Sequence, residues 1–185
     1  MTDLSPYPDV DMQVPERTAS TKVPPHSTNA ERSVLGALML DPRAWDKVTD
    51  LINSEDFYTE VNKQIFHAMM VLSERHEPID ALTVMEVLRS SAWQHSPEKE
   101  SYLYELVKDT PSAANVAAYA KIVREHAILR QLVSIGSEIS ERALQPDSEV
   151  KDLLDAAERE VFNIAERRQR ASGPVDVATL LSRAT

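Results

Sequence analysis

The chain has 185 residues, 30 acidic and 20 basic side chains for a net charge of −10, and no cysteine. That length holds one domain, or one domain with an appendage, and the missing thiols exclude a disulfide framework, a cysteine nucleophile and thiolate metal sites. The acidic balance argues against a surface that grips nucleic acid broadly, because such binding rests on neutralising phosphates.

Residues 1–27 read as a disordered tail. Five of the eleven prolines fall there (Pro6, Pro8, Pro15, Pro24, Pro25), and proline lets neither helix nor central strand propagate. Tyr7 or Val10 would be the anchor if this stretch docks on a partner. Structure is expected to begin at Thr28. Thr28 and Glu31 have capping-box spacing, and Ala30, Val34, Ala37 and Leu38 form one helical face. Asp41-Pro42 caps and starts a second helix, with Trp45, Val48, Leu51 and Ile52 turned inward. A third helix spans roughly 60–75, burying Val61, Ile65, Ala68, Met69 and Leu72. Thr83 and Glu86 repeat the capping-box spacing and open a fourth helix, with Val84, Val87 and Leu88 as its apolar set. Ser96-Pro97 opens a fifth, with Tyr102, Leu103, Leu106 and Val107 inside. No segment sustains period-2 alternation, so the fold class is all-α: a compact helical head over 28–114.

After Pro111 the pattern changes. From 115 to 144 only Gly136 weakens a continuous helix, a rod of roughly 45 Å. Pro146 breaks it, Asp147 or Ser148 caps a second long helix to about 170, and the two make an antiparallel hairpin over 115–170. The second helix carries Val150, Leu153, Leu154, Ala157, Val161, Ile164 and Ala165, close to a heptad stripe. The first offers Ile128, Leu132, Ile135 and Ile139. Two isolated helices bury little, so the hairpin must lie on the head or find another chain. The expected self-association set is Ile128, Leu132, Ile135, Val150, Leu154, Ala157, Val161 and Ile164. Gly173-Pro174 ends the hairpin, and Val177, Leu180 and Leu181 begin a linker helix over 171–185.

Catalytic chemistry is hard to find. With only Gly36, Gly136 and Gly173, there is no P-loop, dinucleotide fingerprint or nucleophile elbow. His26, His67, His76, His95 and His126 form no H-E-x-x-H and no i, i+4 pair, so no metal site is expected. Glu138–Arg142 is an ordinary helical ion pair. Arg167, Arg168 and Arg170 complement the C-terminal end of a helix dipole or touch nucleic acid. Trp45, Phe57, Tyr58 and Phe66 read as core, without the interleaved Lys/Arg of a single-strand platform. No apolar run approaches a membrane span and the N-terminus lacks a signal-peptide pattern, so a cytoplasmic location is expected.

Certain stretches carry a family pattern. Pro25-His26-Ser27 and the run Ala30-Glu31-Arg32-Ser33-Val34-Leu35-Gly36-Ala37-Leu38-Met39-Leu40-Asp41 resemble the opening of the N-terminal domain of the DnaB-family replicative DNA helicases. Asp56-Phe57-Tyr58, Ile65-Phe66 and Pro78-Ile79-Asp80 with Thr83 look like its next landmarks. Thr110-Pro111-Ser112-Ala113-Ala114-Asn115, then Tyr119-Ala120, Ile122-Val123-Arg124-Glu125 and Arg130, is the most specific stretch. The resemblance runs from about 24 to 170. It departs at Ser96-Pro97-Glu98-Lys99-Glu100-Ser101, where the family usually carries a Gly-Gly turn.

The resemblance implies a non-catalytic collar whose hairpins pair, with three dimers building a hexameric ring, and which docks primase during DNA replication. It implies that ATP and Mg²⁺ belong to an ATPase domain that is expected to follow this stretch, and that this stretch itself takes no cofactor. The expected partners are a second copy, primase and the ATPase domain of the same or a neighbouring chain, with weak or no direct nucleic-acid binding and no membrane. For primase the candidate surface is Tyr102, Val133 and Ile139. A free-standing helical adaptor, or a small hydrolase with an unrecognised carboxylate pair, are the readings from other classes.

Overall fold

The computed structural model describes residues 23–90, 97–146 and 149–171. Helices α1 (Thr28–Leu40), α2 (Trp45–Thr49), α3 (Glu60–Glu74), α4 (Ala81–Ser90) and α5 (Pro97–Lys108) build a head, and α6 (Val116–Ala143) and α7 (Val150–Ala171) a hairpin. Two 3-10 turns, Pro42–Ala44 and Ser54–Asp56, link α1, α2 and α3. No strand occurs among the described residues, as the sequence predicts. The expected anchors Tyr7 and Val10, the caps Ser96, Asp147 and Ser148, the linker residues Val177, Leu180 and Leu181, and the side chains of Arg167, Arg168 and Arg170 lie outside the described residues.

The head is organised around α1. Val34, Leu35, Gly36, Ala37, Leu38 and Met39 are all buried, so this stretch of the helix is enclosed on every side rather than along the single face its spacing suggests. It packs against α3, α5 and α6. Phe57 and Phe66 fill the space beneath it, tilted against one another at 5.1 Å, and Trp45 stacks on Phe66 at 5.4 Å.

Two expected helix starts are corrected. Ser27, not Thr28, caps α1, its Oγ accepting from Ala30 N–H at 3.3 Å. Glu31 does not return to the cap. It is buried, and its carboxylate accepts from Tyr58 N–H at 2.8 Å and from Asn62 Nδ2 at 2.7 Å. Position 31 points into the head, where two non-local donors outcompete a solvated cap. The α4 box likewise sits three residues earlier than Thr83 and Glu86. Asp80 Oδ1 accepts from Leu82 and Thr83 N–H, while Thr83 Oγ1 accepts from Asp80 N–H at 3.0 Å.

Order also begins earlier than Thr28. Arg130 donates to Pro25 O at 2.8 Å, and the His26 ring stacks on Tyr58 at 4.2 Å. Tyr58 is therefore not core. It is exposed, with the Arg130 guanidinium 5.7 Å from its centroid.

Gly36 marks the closest approach of α1 and α5. A Cβ there would collide with Thr110 Oγ1 and the Leu106 carbonyl, and Thr110 Oγ1 already donates to that carbonyl at 2.7 Å. Gly→Ala inside an unhindered helix gains about 1 kcal/mol. Here the sign should reverse: Gly36→Ala should lose about 2 kcal/mol to overpacking, read as a lower urea midpoint with an unchanged slope. A stabilised variant would show that α5 moves aside freely.

Candidate functional site: the hairpin and its root

The hairpin is rooted by two arginines that flank the head-facing side of α6. Arg124 Nη1 donates to Asp56 Oδ1 at 2.6 Å, and Arg130 Nη2 to the Asp56 carbonyl at 2.6 Å. Asp56 is buried, and its other carboxylate oxygen accepts from Asn53 N–H at 2.9 Å. Between the arginines lie Val123 and Ala127, which with Val116 and Ala120 are the buried residues of α6. Ala127 is the last of them. The remaining part of α6, about 24 Å long, has no buried residue.

Beyond the root, α6 and α7 pack on each other. A small cavity between them is lined by Ile135, Glu138, Ile139 and Arg142 from late α6 and by Leu153, Ala156, Ala157 and Glu160 from early α7, so the pair is antiparallel. On α7 the stripe divides. Leu153, Ala157 and Ile164 lie within about 40° of one another at 100° per residue. They are half-buried or buried, and Ile164 is the one buried residue described in α7. Val150, Leu154 and Val161 form an adjacent band about 60° further round. They remain exposed, Leu154 by 58%. The apolar arc of α7 is wider than α6 can cover.

The expected self-association residues therefore fall into two groups. Ile128, Ile135, Ala157 and Ile164 are wholly or partly covered within the chain, whereas Leu132, Val150, Leu154 and Val161 are open to solvent. Exposed Phe162, Leu129 and Leu144 escaped the sequence reading because none lies on the heptad stripe. Phe162 follows Val161 directly, and a large aromatic on a helix flank was the available signal.

A second open face runs along α6. Ile122, Leu129 and Val133 align about 120° round from the side bearing Ile135 and Ile139, and all three are exposed. Gly136 lies beside them, where an added Cβ would meet nothing within 4 Å among the described residues.

Among the described residues, no group of three or more His, Asp or Glu could hold a metal ion, and no helix is long and apolar enough to cross a membrane. His67 is exposed, His76 ends α3 at φ 56°, and the His126 ring nitrogen Nδ1 lies 2.8 Å from Ile122 O.

Residues 23–125 match the family model described as the DnaB-like helicase N terminal domain. The chain belongs to that family. It is 44% identical over 168 residues to the replicative DNA helicase DnaB of Haemophilus influenzae, covering 90% of this chain and 36% of that one. It is 38% identical over 149 residues to the replicative DNA helicase DnaB of Geobacillus stearothermophilus, covering 80% and 33%. This chain thus spans about a third of the length of these curated relatives. The crystal structure of the N-terminal domain of DnaB helicase from Mycobacterium tuberculosis superposes with a TM-score of 0.72 at 32% identity, covering 77% of this chain and 99% of that one.

Within this DnaB-type domain, the three residues considered for primase have different surroundings. Tyr102 belongs to the head network: its hydroxyl donates to Asn62 Oδ1 at 2.9 Å, and the Arg32 guanidinium lies 5.0 Å from its ring centroid. Ile139 lines the space between the hairpin helices. Val133 alone of the three stands on an open face, 58% exposed.

Burial holds the Tyr102 phenol above its ordinary pKa of 10.0, opposed by the nearby Arg32 charge. Its folded-state pKa being raised, the stability it contributes is complete below pH 10 and is lost as pH rises through the folded value. Tyr102→Phe should cost about 1 kcal/mol at neutral pH, the worth of one hydrogen bond. It should also lessen the decline in stability above pH 10, measured by urea unfolding at pH 7 and pH 10.5. An unchanged alkaline decline would assign that loss to other groups.

Proposed function

We propose that this chain is the collar portion of a hexameric replicative DNA helicase, an assembly and docking part rather than a motor. The observation that carries the reading is the exposed band of Val150, Leu154 and Val161 on α7, beside a stripe already covered by α6. A soluble helix that leaves such a band open has contact area to offer another copy. In the assembly, hairpins pair into dimers and three dimers close the ring. The relatives named replicative DNA helicase support placing this collar in DNA replication. ATP and Mg²⁺ are assigned to the motor portion of such helicases, since the sequence here carries no P-loop.

Leu154→Asp and Val161→Asp test the pairing. Each puts a carboxylate into an apolar seam, where burying it unpaired would cost several kcal/mol, so the partners should separate instead. Light scattering should show a smaller species while circular dichroism shows retained helix. A wild-type chain that stays monomeric at high micromolar concentration would remove the pairing.

Primase docking is assigned to the open face of α6, with Val133 and its neighbour Leu129 at the contact. Tyr102 and Ile139, the other two candidates, are held in the head network and between the hairpin helices. Val133→Glu should weaken primase binding at least tenfold, about 1.4 kcal/mol, at unchanged melting temperature. Unchanged affinity in the titration would move primase to another face.

A further inference from the structure

An open cleft of about 320 Å³ lies in the head, between α2 and α3. Trp45, Phe66 and Met70 give it apolar walls, and Asn53, Ser73 and Glu74 a polar rim. Trp45 is half-buried and stacked on Phe66 at an interplanar angle of 28°, so its indole presents a fixed wall. An aromatic and methionine wall with a few hydrogen-bonding groups at its edge suits extended apolar side chains whose backbone stays at the rim.

The course of the chain supplies the occupant. The guanidinium of Arg130 that binds Pro25 O also binds Asp56 O, and Asp56 holds Asn53 N–H on the cleft's rim. Pro25 is thereby held a few hydrogen-bonded steps from the cleft. The polypeptide preceding it contains Pro8-Asp9-Val10-Asp11-Met12-Gln13-Val14-Pro15. An extended backbone puts Val10, Met12 and Val14 on one side and Asp9 and Asp11 on the other, which keeps the acids away from Glu74. The flanking prolines disfavour its incorporation into a helix or sheet. Val14 stands eleven residues ahead of Pro25, a reach of up to about 36 Å. Such a tether supplies an effective concentration on the order of millimolar, so even a weak contact is populated.

We propose that the cleft walled by Trp45, Phe66 and Met70 receives the chain's own N-terminal segment, with Val10, Met12 and Val14 as the inserted side chains. The proposal concerns the head alone and stands whether or not the hairpin pairs.

The test uses the whole chain carrying Trp93→Phe, which leaves Trp45 as the single indole. In that background Val10→Asp, Met12→Asp and Val14→Asp are combined. The triple change should shift Trp45 emission to longer wavelength and raise its acrylamide quenching about twofold, as a ring losing an apolar cover does. The difference should be the same at every protein concentration. Met70→Glu with the native segment should reproduce it, and a synthetic peptide of residues 7–16 should reverse it when added to the triple variant at millimolar concentration. Identical emission and quenching in the two chains would overturn the proposal. A difference that grows with protein concentration would also overturn it, giving the cleft to a second copy.

Discussion

The molecule depends on the contact between two arginines of α6 and the turn that ends at Asp56. At 100° per residue, Arg124 and Arg130 lie on either side of Ala127, and both reach the same turn, one through the carboxylate and one through the carbonyl. Breaking a buried ion pair by removing one partner costs about 3–5 kcal/mol, yet a well-packed apolar replacement is often as stable. Net stability is therefore a weak reason for such a pair. Geometry is a stronger one. A seam of alanine and valine tolerates sliding, whereas two guanidinium groups fixed on one turn set both the rotation and the height of α6. The error of any tilt at that root is multiplied along the roughly 24 Å of α6 beyond Ala127, so the direction of the hairpin is decided in the head.

The same turn connects the rest of the head. Phe57 and Tyr58 follow Asp56 directly. Phe57 enters the core against Phe66, while Tyr58 N–H is taken by Glu31 and its ring lies against His26 and Arg130. Glu31 passes the connection to Asn62, Asn62 to Tyr102, and the Tyr102 ring lies near the Arg32 guanidinium, which is paired with Asp109. Polar side chains from α1, α3 and α5 and the Asp56 turn thus form one connected set through a largely apolar core. Apolar contacts tolerate many arrangements of short helices. Directional bonds among Glu31, Asn62 and Tyr102 select one of them.

Helix positions were readable because apolar spacing and proline stops are local signals. The α3 and α5 patterns and the two long helices near 115–144 and 150–170 fall where the structure places them. What the sequence hides is competition between local and distant partners. Glu31 has the spacing of a capping box, but its donors stand 27 and 31 residues away. Thr83 serves the box that opens α4, though as its third residue with Asp80 as the cap. The buried Asp56 looks like any acidic residue in a loop until Arg124, 68 residues later, is brought onto it. The apolar stripe of α7 was visible as a whole, but its division into covered and open bands depends on how much of the arc α6 reaches, which spacing along one helix does not encode.

That division bears on how the hairpin is held. Isolated helices are marginal in water, and most helical stability in proteins comes from packing an amphipathic face. In α7 the described residues include one buried side chain, Ile164, while Val150, Leu154, Val161 and Phe162 are exposed. Opposite, α6 carries Gly136 inside the helix, where it costs about 1 kcal/mol relative to alanine and where nothing among the described residues crowds it. Among the described residues the distal hairpin is accordingly little supported and leaves apolar surface to cover. Anything that binds the folded hairpin stabilises it by mass action, in proportion to the logarithm of partner concentration. Order in the hairpin and occupancy of its open faces are thus linked.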